Sequence, residues 1–252
     1  MINILMSGCN GKMGQVISRL AEQYEDLRIC AGYDIFDSGK NNYPVFTKLE
    51  QCNVKIDTII DFSNPDALES ILGYATANRI PIIVATTGIS LSQKKMLEVA
   101  SKKIPVFSSA NMSLGVNLII DLVKRAAKIL EPNFDIEIIE KHHNQKLDAP
   151  SGTALAIADS INSALEQKQE YVYDRHSRRK KRSKTEIGIH AVRGGTIVGE
   201  HSVVFAGCDE VIEINHSAMS KDIFGTGALR AARFIYKKSP GLYSMDDLFS
   251  EG

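Results

Sequence analysis

Ile2-Asn3-Ile4-Leu5-Met6-Ser7-Gly8-Cys9-Asn10-Gly11-Lys12-Met13-Gly14 runs a short apolar stretch into a glycine-rich turn, after which Met13, Val16, Ile17, Leu20 and Ala21 recur at helical spacing. The pattern is strand, glycine turn, helix. A turn without Cβ atoms lets the backbone approach a pyrophosphate, and the helix start behind it offers free N–H groups and a partial positive charge. The first glycine stands one place early for the usual dinucleotide fingerprint and Cys9 follows it, so the motif alone leaves a merely structural turn open. A second strand, Ile29 to Tyr33, ends at Asp34, where such a unit places an acid against the adenosine ribose hydroxyls. An acid repels a 2′-phosphate. With Ile35 next and Lys40 the nearest cation downstream, the position favours NADH over NADPH, although a solvated strand-end carboxylate would read the same way.

The alternation continues. Asp57 to Phe62 is an apolar strand, and Asn64-Pro65 supplies an N-cap and a first-turn proline for a helix marked by Leu68, Ile71, Leu72 and Ala75. Pro81 to Ala85 is the next strand, leading into Thr86-Thr87-Gly88; Ser92 opens a helix through Met96, Leu97 and Ala100; Ile104 to Ser108 is a further strand, ending at Ser109-Ala110-Asn111-Met112-Ser113. This rhythm predicts an α/β protein whose N-terminal part is a Rossmann-like, doubly wound parallel sheet. The small polar residues after the strands fall at the carboxyl edge of that sheet, where ligands bind.

The pattern changes in the second half. A helix from Ser113 to Leu130 has a broad apolar face and stops at Glu131-Pro132-Asn133. Later come three runs, Glu186 to Arg193, Thr196 to Phe205 and Val211 to His216, joined by Gly194-Gly195 and Gly207-Cys208-Asp209 with no helix between them. They predict an antiparallel meander, hence a C-terminal α+β domain with a mostly antiparallel sheet. A last helix, Ile223 to Lys238, can return to the first domain. The expected division is a dinucleotide-binding domain of residues 1–113, with the C-terminal helix of 223–252 returning to it, and a second domain of residues 114–222.

Composition sets limits on function. The chain has 252 residues, 44% hydrophobic and 24% charged, with formal net charge zero, so no global field draws nucleic acid or anionic lipid and a charged ligand must be captured locally. Cys9, Cys30, Cys52 and Cys208 lack CxxC or metal-type spacing and read as reduced packing residues. No apolar run approaches the length needed to span a bilayer and the sequence opens directly on a strand, so the expected location is cytoplasmic. The run from Arg175 to Lys184 is basic, but no aromatic residues interleave with its cations for base stacking, and it is expected to be a solvated, mobile loop rather than a nucleic-acid patch.

The densest chemistry lies in Glu140-Lys141-His142-His143-Asn144-Gln145-Lys146-Leu147-Asp148-Ala149-Pro150-Ser151-Gly152-Thr153-Ala154. Ile136 and Ile138 alternate like a strand, so His142 and His143 sit where it ends and a loop begins. Ser151 caps a helix from about Thr153 to Leu165, whose first N–H groups point at whatever the loop encloses. Adjacent histidines on an extended chain face opposite ways and no Cys, Asp or Glu completes a set, so no metal site is expected. Histidine gives a proton near neutral pH, Lys146 brings three donors, and a Ser-Gly-Thr helix start can clamp a carboxylate. The combination suits a small, multiply negative substrate.

This stretch resembles the signature of the 4-hydroxy-tetrahydrodipicolinate reductase (dihydrodipicolinate reductase) family of lysine and diaminopimelate biosynthesis. Gly8 to Gly14, Thr86-Thr87-Gly88, Ser109 to Asn117 and Arg193 to His201 support the resemblance, which covers essentially the full length. It implies an oxidoreductase in which NADH or NADPH delivers hydride to a cyclic unsaturated imine dicarboxylate. His142 is then the proton donor and Lys146 its assistant, with His143, Ser151, Gly152 and Thr153 holding a substrate carboxylate. Gly8, Cys9, Asn10, Gly11, Lys12, Met13, Asp34, Ala85, Thr86, Thr87, Ser109, Ala110, Asn111 and Met112 line the cofactor. The resemblance also implies a homotetramer built through the second-domain sheets, and closure of the two domains over the substrate. Three positions depart from the family pattern: Ala85 begins its Gly-Thr-Thr-Gly stretch, Lys221 replaces an arginine and so any bidentate contact, and Ile35 replaces an arginine often found after the acid. A catalytically silent dinucleotide-sensing protein and a different dehydrogenase on the same scaffold are the competing readings. The intact His142, His143 and Lys146 set argues against the first, and the lack of a cysteine nucleophile beside the motif against the second.

Overall fold

In the computed structural model, which describes residues 1–250, the first apolar run is strand β1 (Ile2–Ser7) and the glycine turn leads into helix α1 (Lys12–Ala21). Two glycines have steric reasons. Gly8 has φ +77°, and a Cβ on it would lie 2.8 Å from the Phe62 carbonyl oxygen; a Cβ on Gly14 would lie 2.3 Å from the Gly8 carbonyl oxygen. The helix can therefore start hard against the end of the strand. The chain continues through β2 (Leu27–Tyr33), β3 (Val45–Phe46), β4 (Thr58–Asp61), α2 (Leu68–Asn78), β5 (Ile82–Val84), α3 (Leu91–Ser101) and β6 (Pro105–Ser108). Asn64 accepts from the Asp66 amide with Pro65 following, as the sequence predicts. Ser90, not Ser92, caps α3, because it forms a reciprocal capping box with Gln93.

Residues Gly115–Ser220 form a compact unit of their own. Helix α4 (Leu114–Leu130) leads into it, followed by β7 (Asp135–His142), α5 (Gly152–Ala164), β8 (Glu170–Val172), β9 (Glu186–Arg193), β10 (Gly199–Ala206) and β11 (Val211–Ala218). The sheet order is β11-β10-β7-β9-β8. β10 pairs antiparallel with β11 and β7, whereas β9 pairs parallel with β7 and β8, so the sheet is mixed. The expected three-strand meander is thus corrected: only β10 and β11 form a hairpin. Gly194 and Gly195 instead carry the chain across the end of β7, the Gly194 amide donating to the His142 carbonyl and the Asn144 amide to the Gly195 carbonyl. A glycine turn signal is the same for a hairpin and for such a crossing. Helices α4 and α5 pack on one face, where Ile119, Val123, Ile157 and Ile161 meet Ile136, Ile138, Ile187, Val203 and Phe205.

The basic run also departs from expectation. Arg182 donates to Asp135, Glu137 and the carbonyls of Ile136 and Glu186, and Arg175 pairs with Glu137 and Glu186. Two of its cations therefore fasten the segment to β7 and β9, because Glu137 and Glu186 need partners where they are shielded from water.

From Lys221 the chain rejoins the first unit as α6 (Asp222–Ile235), β12 (Gly241–Tyr243) and α7 (Met245–Ser250). The first sheet is then seven-stranded, β12-β6-β5-β4-β1-β2-β3, with every pairing parallel. Its strands read as unbroken apolar runs because both faces are covered. Ile4, Met6, Ile60, Ile83 and Phe107 pack with Ala228, Leu229 and Ile235 on one side, and Leu5, Ile59, Ile82 and Val106 with Leu68, Ile71 and Leu97 on the other. β12, three residues long, carries too little pattern to be read from sequence.

Two glycine substitutions should act with opposite signs in urea unfolding. Gly14→Ala should destabilise by about 1–3 kcal/mol, since its methyl overpacks the Gly8 backbone. Gly73→Ala, exposed in the middle of α2 with nothing within 4 Å of the new Cβ, should stabilise by roughly 0.4–1 kcal/mol.

Candidate active site

In the first unit, α1 begins at Gly11 with no side-chain cap and no acidic residue in its first turn, so its leading N–H groups are left to another acceptor. Beside it, a cleft of about 340 Å³ is lined by Ser7, Gly8, Asn10, Gly11, Tyr33, Asp34, Ile35, Phe36, Phe62, Ser63, Asn64 and Ala67. Asp34 closes one end; its Oδ2 accepts from the Asn10 amide at 2.9 Å and its Oδ1 from the Ile35 amide at 2.8 Å, leaving acceptor capacity on both oxygens. Ile35, 85% exposed, and Phe36, 54% exposed, offer an apolar surface at the rim. These features fit a nucleotide: a Cβ-free approach, an anion-ready helix start, an acid for hydroxyls and a flat apolar wall.

The other expected cofactor residues fall into two groups. Asn10 is stitched to the loop after β2 by Phe36, Ser38 and Asn41. Lys12, Thr87 and Ala110 are exposed, and Met13 is half-buried against the core. Ala85 and Thr86 are buried, the Thr86 hydroxyl donating to the sealed Asp61 carboxylate at 2.7 Å. The Ser109 hydroxyl donates to the Asn111 carbonyl. Cys9 and Met112 are core residues, and burial pushes the Cys9 thiol up to about 12, so these two side chains are occupied with packing. Sequence reasoning missed Asp61, although its place at the end of β4 beside the Thr86 turn was a signal.

In the second unit, the burial of β7 alternates strictly, putting Ile136, Ile138, Glu140 and His142 on one face. The first two build the core and the last two build the site. Glu140 is fully buried. Its Oε2 lies 2.7 Å from His142 Nδ1; Arg193 of β9 grips both oxygens at 2.7 Å; the Ser151 amide donates to Oε1 at 3.0 Å. Burial alone would raise the Glu140 carboxyl, but the Arg193 fork, His142 and the Ser151 amide outweigh it and hold it below its ordinary value. Arg193 also donates to the Asp148 carbonyl, tying the loop down. His142 Nε2 has no protein partner among the described residues, while the side chain keeps 11% of its surface exposed.

The loop places the remaining expected residues. Lys146 pairs with Asp148 at 2.9 Å, and its amide donates to the His143 carbonyl. Lys146 thereby holds the Asp148 carboxyl below its usual range. His143 and Thr153 are half-buried and Gly152 is exposed. Ser151 caps α5 by accepting from the Ala154 amide, and its hydroxyl lies 3.2 Å from His201 Nε2. Lys221 is exposed at the N-cap of α6. Glu140, Arg193 and His201 lie inside the sequence motifs, but the sequence alone assigns them no role. Glu140 could have been found, since residues i and i+2 of a strand share a face. Arg193 and His201 come from other strands, and only the pairing of His142 with Arg193 and Glu140 with His201 reveals them. Among the described residues no His, Cys, Asp and Glu group could hold a metal, and no helix is long and apolar enough to cross a membrane.

A parallel sheet with a glycine-turn cleft in one unit, and a buried carboxylate–histidine pair next to a helix start in the other, fit a nicotinamide-dependent oxidoreductase. Family models of dihydrodipicolinate reductase match the chain in both parts, the N-terminus over residues 2–112 and the C-terminus over residues 115–249. Over 256 residues it is 53% identical to a 4-hydroxy-tetrahydrodipicolinate reductase of Caldanaerobacter subterraneus subsp. tengcongensis, covering 100% of both chains, and it is 48% identical to that of Clostridium tetani, covering 98% of this chain and 96% of the relative. A dipicolinate-bound dihydrodipicolinate reductase from Paenisporosarcina sp. TG-14 shares the fold with TM-score 0.78 at 24% identity, covering 97% of each chain. The chain belongs to the dihydrodipicolinate reductase family.

His201 gives this site a pH signature. It is 5% exposed, and burial, followed by the neighbouring His142, pushes it down to about 4, so it is neutral in the folded protein. The unfolded chain binds that proton from about pH 6.5 downward. Stability should therefore be intact above that value and fall as pH drops towards 4, by roughly 3 kcal/mol at most. Urea unfolding across this window should show a shallower pH dependence for His201→Gln than for the unsubstituted protein; equal slopes would remove the assignment.

Proposed function

We propose that 4-hydroxy-tetrahydrodipicolinate loses water to give the unsaturated imine and that the chain reduces this to tetrahydrodipicolinate, in lysine and diaminopimelate biosynthesis, with hydride from the nicotinamide cofactor and a proton from His142. The observation that carries this reading is His142 itself, braced at Nδ1 by a buried carboxylate with its Nε2 unpaired, in a chain 53% identical to a reductase of that name. The nicotinamide cofactor, when bound, supplies hydride. Gly8, Gly11 and the start of α1 hold its pyrophosphate, and Asp34 takes the adenosine ribose. Lys146 exchanges its contact with Asp148 for the substrate's negative charge, and the Ser151-Gly152-Thr153 start of α5, with His143, holds a carboxylate. The first unit serves as the dinucleotide-binding domain and the second as the substrate domain. The sheet face of the second unit opposite its helices, carrying Ile139, Val192 and Val204, builds a homotetramer. The protein acts in the cytoplasm and takes no nucleic-acid partner.

The test is the loss of nicotinamide absorbance when substrate is generated in place by a synthase. Substrate-dependent oxidation is expected; cofactor binding without turnover in a folded sample would instead favour a dinucleotide-sensing protein. His142→Asn and Lys146→Met should each lower kcat by about 10²–10⁴-fold with cofactor Kd within about twofold.

Cofactor choice follows from Asp34 and Ile35. A carboxylate with no neighbouring arginine meets ribose hydroxyls better than a 2′-phosphate, so NADH should bind more tightly than NADPH in a fluorescence titration. Equal or tighter NADPH binding would reverse this assignment.

A further inference from the structure

Glu140 is sealed from solvent, yet its two oxygens hold two different parts of the site. Oε2 meets the His142 ring and Oε1 meets the Ser151 amide at the start of α5, while the Arg193 fork spans both. We propose that Glu140 is the positioning residue of the reduction: it fixes His142 with its hydrogen on Nδ1, so that Nε2 is the atom that releases the proton, and it sets that nitrogen relative to the carboxylate-binding helix start. The inference rests on the reading of His142 as proton donor.

The argument is one of donors and acceptors. An ionised carboxylate only accepts, so the ring nitrogen 2.7 Å away must carry the hydrogen. A neutral imidazole has one N–H, and here it is committed to Nδ1. In the protonated ring the second hydrogen is on Nε2. During the reaction the Nε2–H bond breaks, its electron pair stays on nitrogen, and the proton bonds to the substrate carbon next to the one that takes the hydride. The ring returns to the neutral Nδ1–H form without rotating. Were the carboxylate absent, the neutral ring could keep its hydrogen on Nε2, where it is far too weak an acid to give it up.

The surroundings keep the arrangement in place. Arg193 fills the remaining carboxylate sites from β9, so Glu140 cannot swing away. His201 of β10 packs edge-on to the His142 ring with centroids 5.3 Å apart, and its burial keeps it neutral. Lys146, in the loop, is matched by Asp148. Gly199 leaves Nε2 uncrowded, since a Cβ there would lie 3.1 Å from it.

The direct test is nitrogen-15 NMR of the His142 ring in the cofactor-free protein, at a pH where the ring is neutral. Hydrogen on Nδ1 is expected; hydrogen on Nε2 would overturn the proposal, and neither result depends on turnover or on a variant folding. The kinetic test compares Glu140→Gln with Glu140→Asp. Gln keeps the shape but offers a donor and loses the charge, whereas Asp keeps an acceptor on a shorter stem. If Glu140 only fills space, Gln should be the milder change. The proposal expects the opposite: kcat at least about a hundredfold down in Glu140→Gln, the scale of enforcing a wrong tautomer, with cofactor Kd within about twofold, and Glu140→Asp recovering about tenfold of that loss. A Glu140→Gln protein within about fivefold of normal kcat would overturn it. Absence of turnover in the unsubstituted protein would instead remove the functional reading, leaving the ring measurement to judge the dyad alone.

Discussion

A carboxylate taken wholly out of water has to be matched inside the protein, and at Glu140 the match dictates the local structure. Its partners come from β7, β9 and the start of α5, and leaving such a charge without one of them costs about 3–5 kcal/mol. The chain therefore cannot move any one of those elements without cost to the others. The Arg193 contact with the Asp148 carbonyl extends the constraint into the loop that carries Lys146. One ion pair thereby sets His142, the start of α5 and the loop that carries Lys146 in a single frame.

The mixed sheet is what makes that ion pair possible. β9 lies parallel to β7 with Arg193 opposite His142, and β10 lies antiparallel on the other side with His201 opposite Glu140. A simple meander would have put β10 beside β9 and left β7 at an edge, with Glu140 facing solvent on one flank. Placing β7 in the middle shields its inward row, where Ile136 and Ile138 anchor the strand in the core and Glu140 and His142 follow on the same face. The same period of two serves core packing at one end and the buried ion pair at the other. The first unit is built by the opposite means, excluding side chains: Gly8, Gly11 and Gly14 bring backbone to backbone, and α1 starts there without a side-chain cap.

How much of this was legible in the sequence depends on how local the cause is. The parallel sheet was, because each strand–turn–helix unit is written in contiguous residues, and so was the Ser151 cap, which needs only its own helix. The cap of α3 was displaced by two residues because Ser90 and Ser92 are equally good candidates until Gln93 selects one. The order of the second sheet was not legible, because Gly194-Gly195 marks a reversal without saying which strand lies between. The site divided in the same way. His142, Lys146 and Ser151 stand in one short stretch, from the end of β7 to the cap of α5, and were readable together, whereas Arg193 and His201 acquire their meaning only through strand register. The basic run misled because a count of charges does not show that Glu137 of β7 and Glu186 of β9 pair with Arg175 and Arg182.

The claim that the Glu140–Arg193 pair organises the site is tested most directly by a double-mutant cycle on stability, using Glu140→Gln, Arg193→Met and the double variant in urea unfolding. Each single change should destabilise by roughly 3 kcal/mol or more, because it strands a buried partner, and the double should cost at least about 2 kcal/mol less than the sum. Effects that add to within about 0.5 kcal/mol would show two independent residues, and the account would fail at its centre.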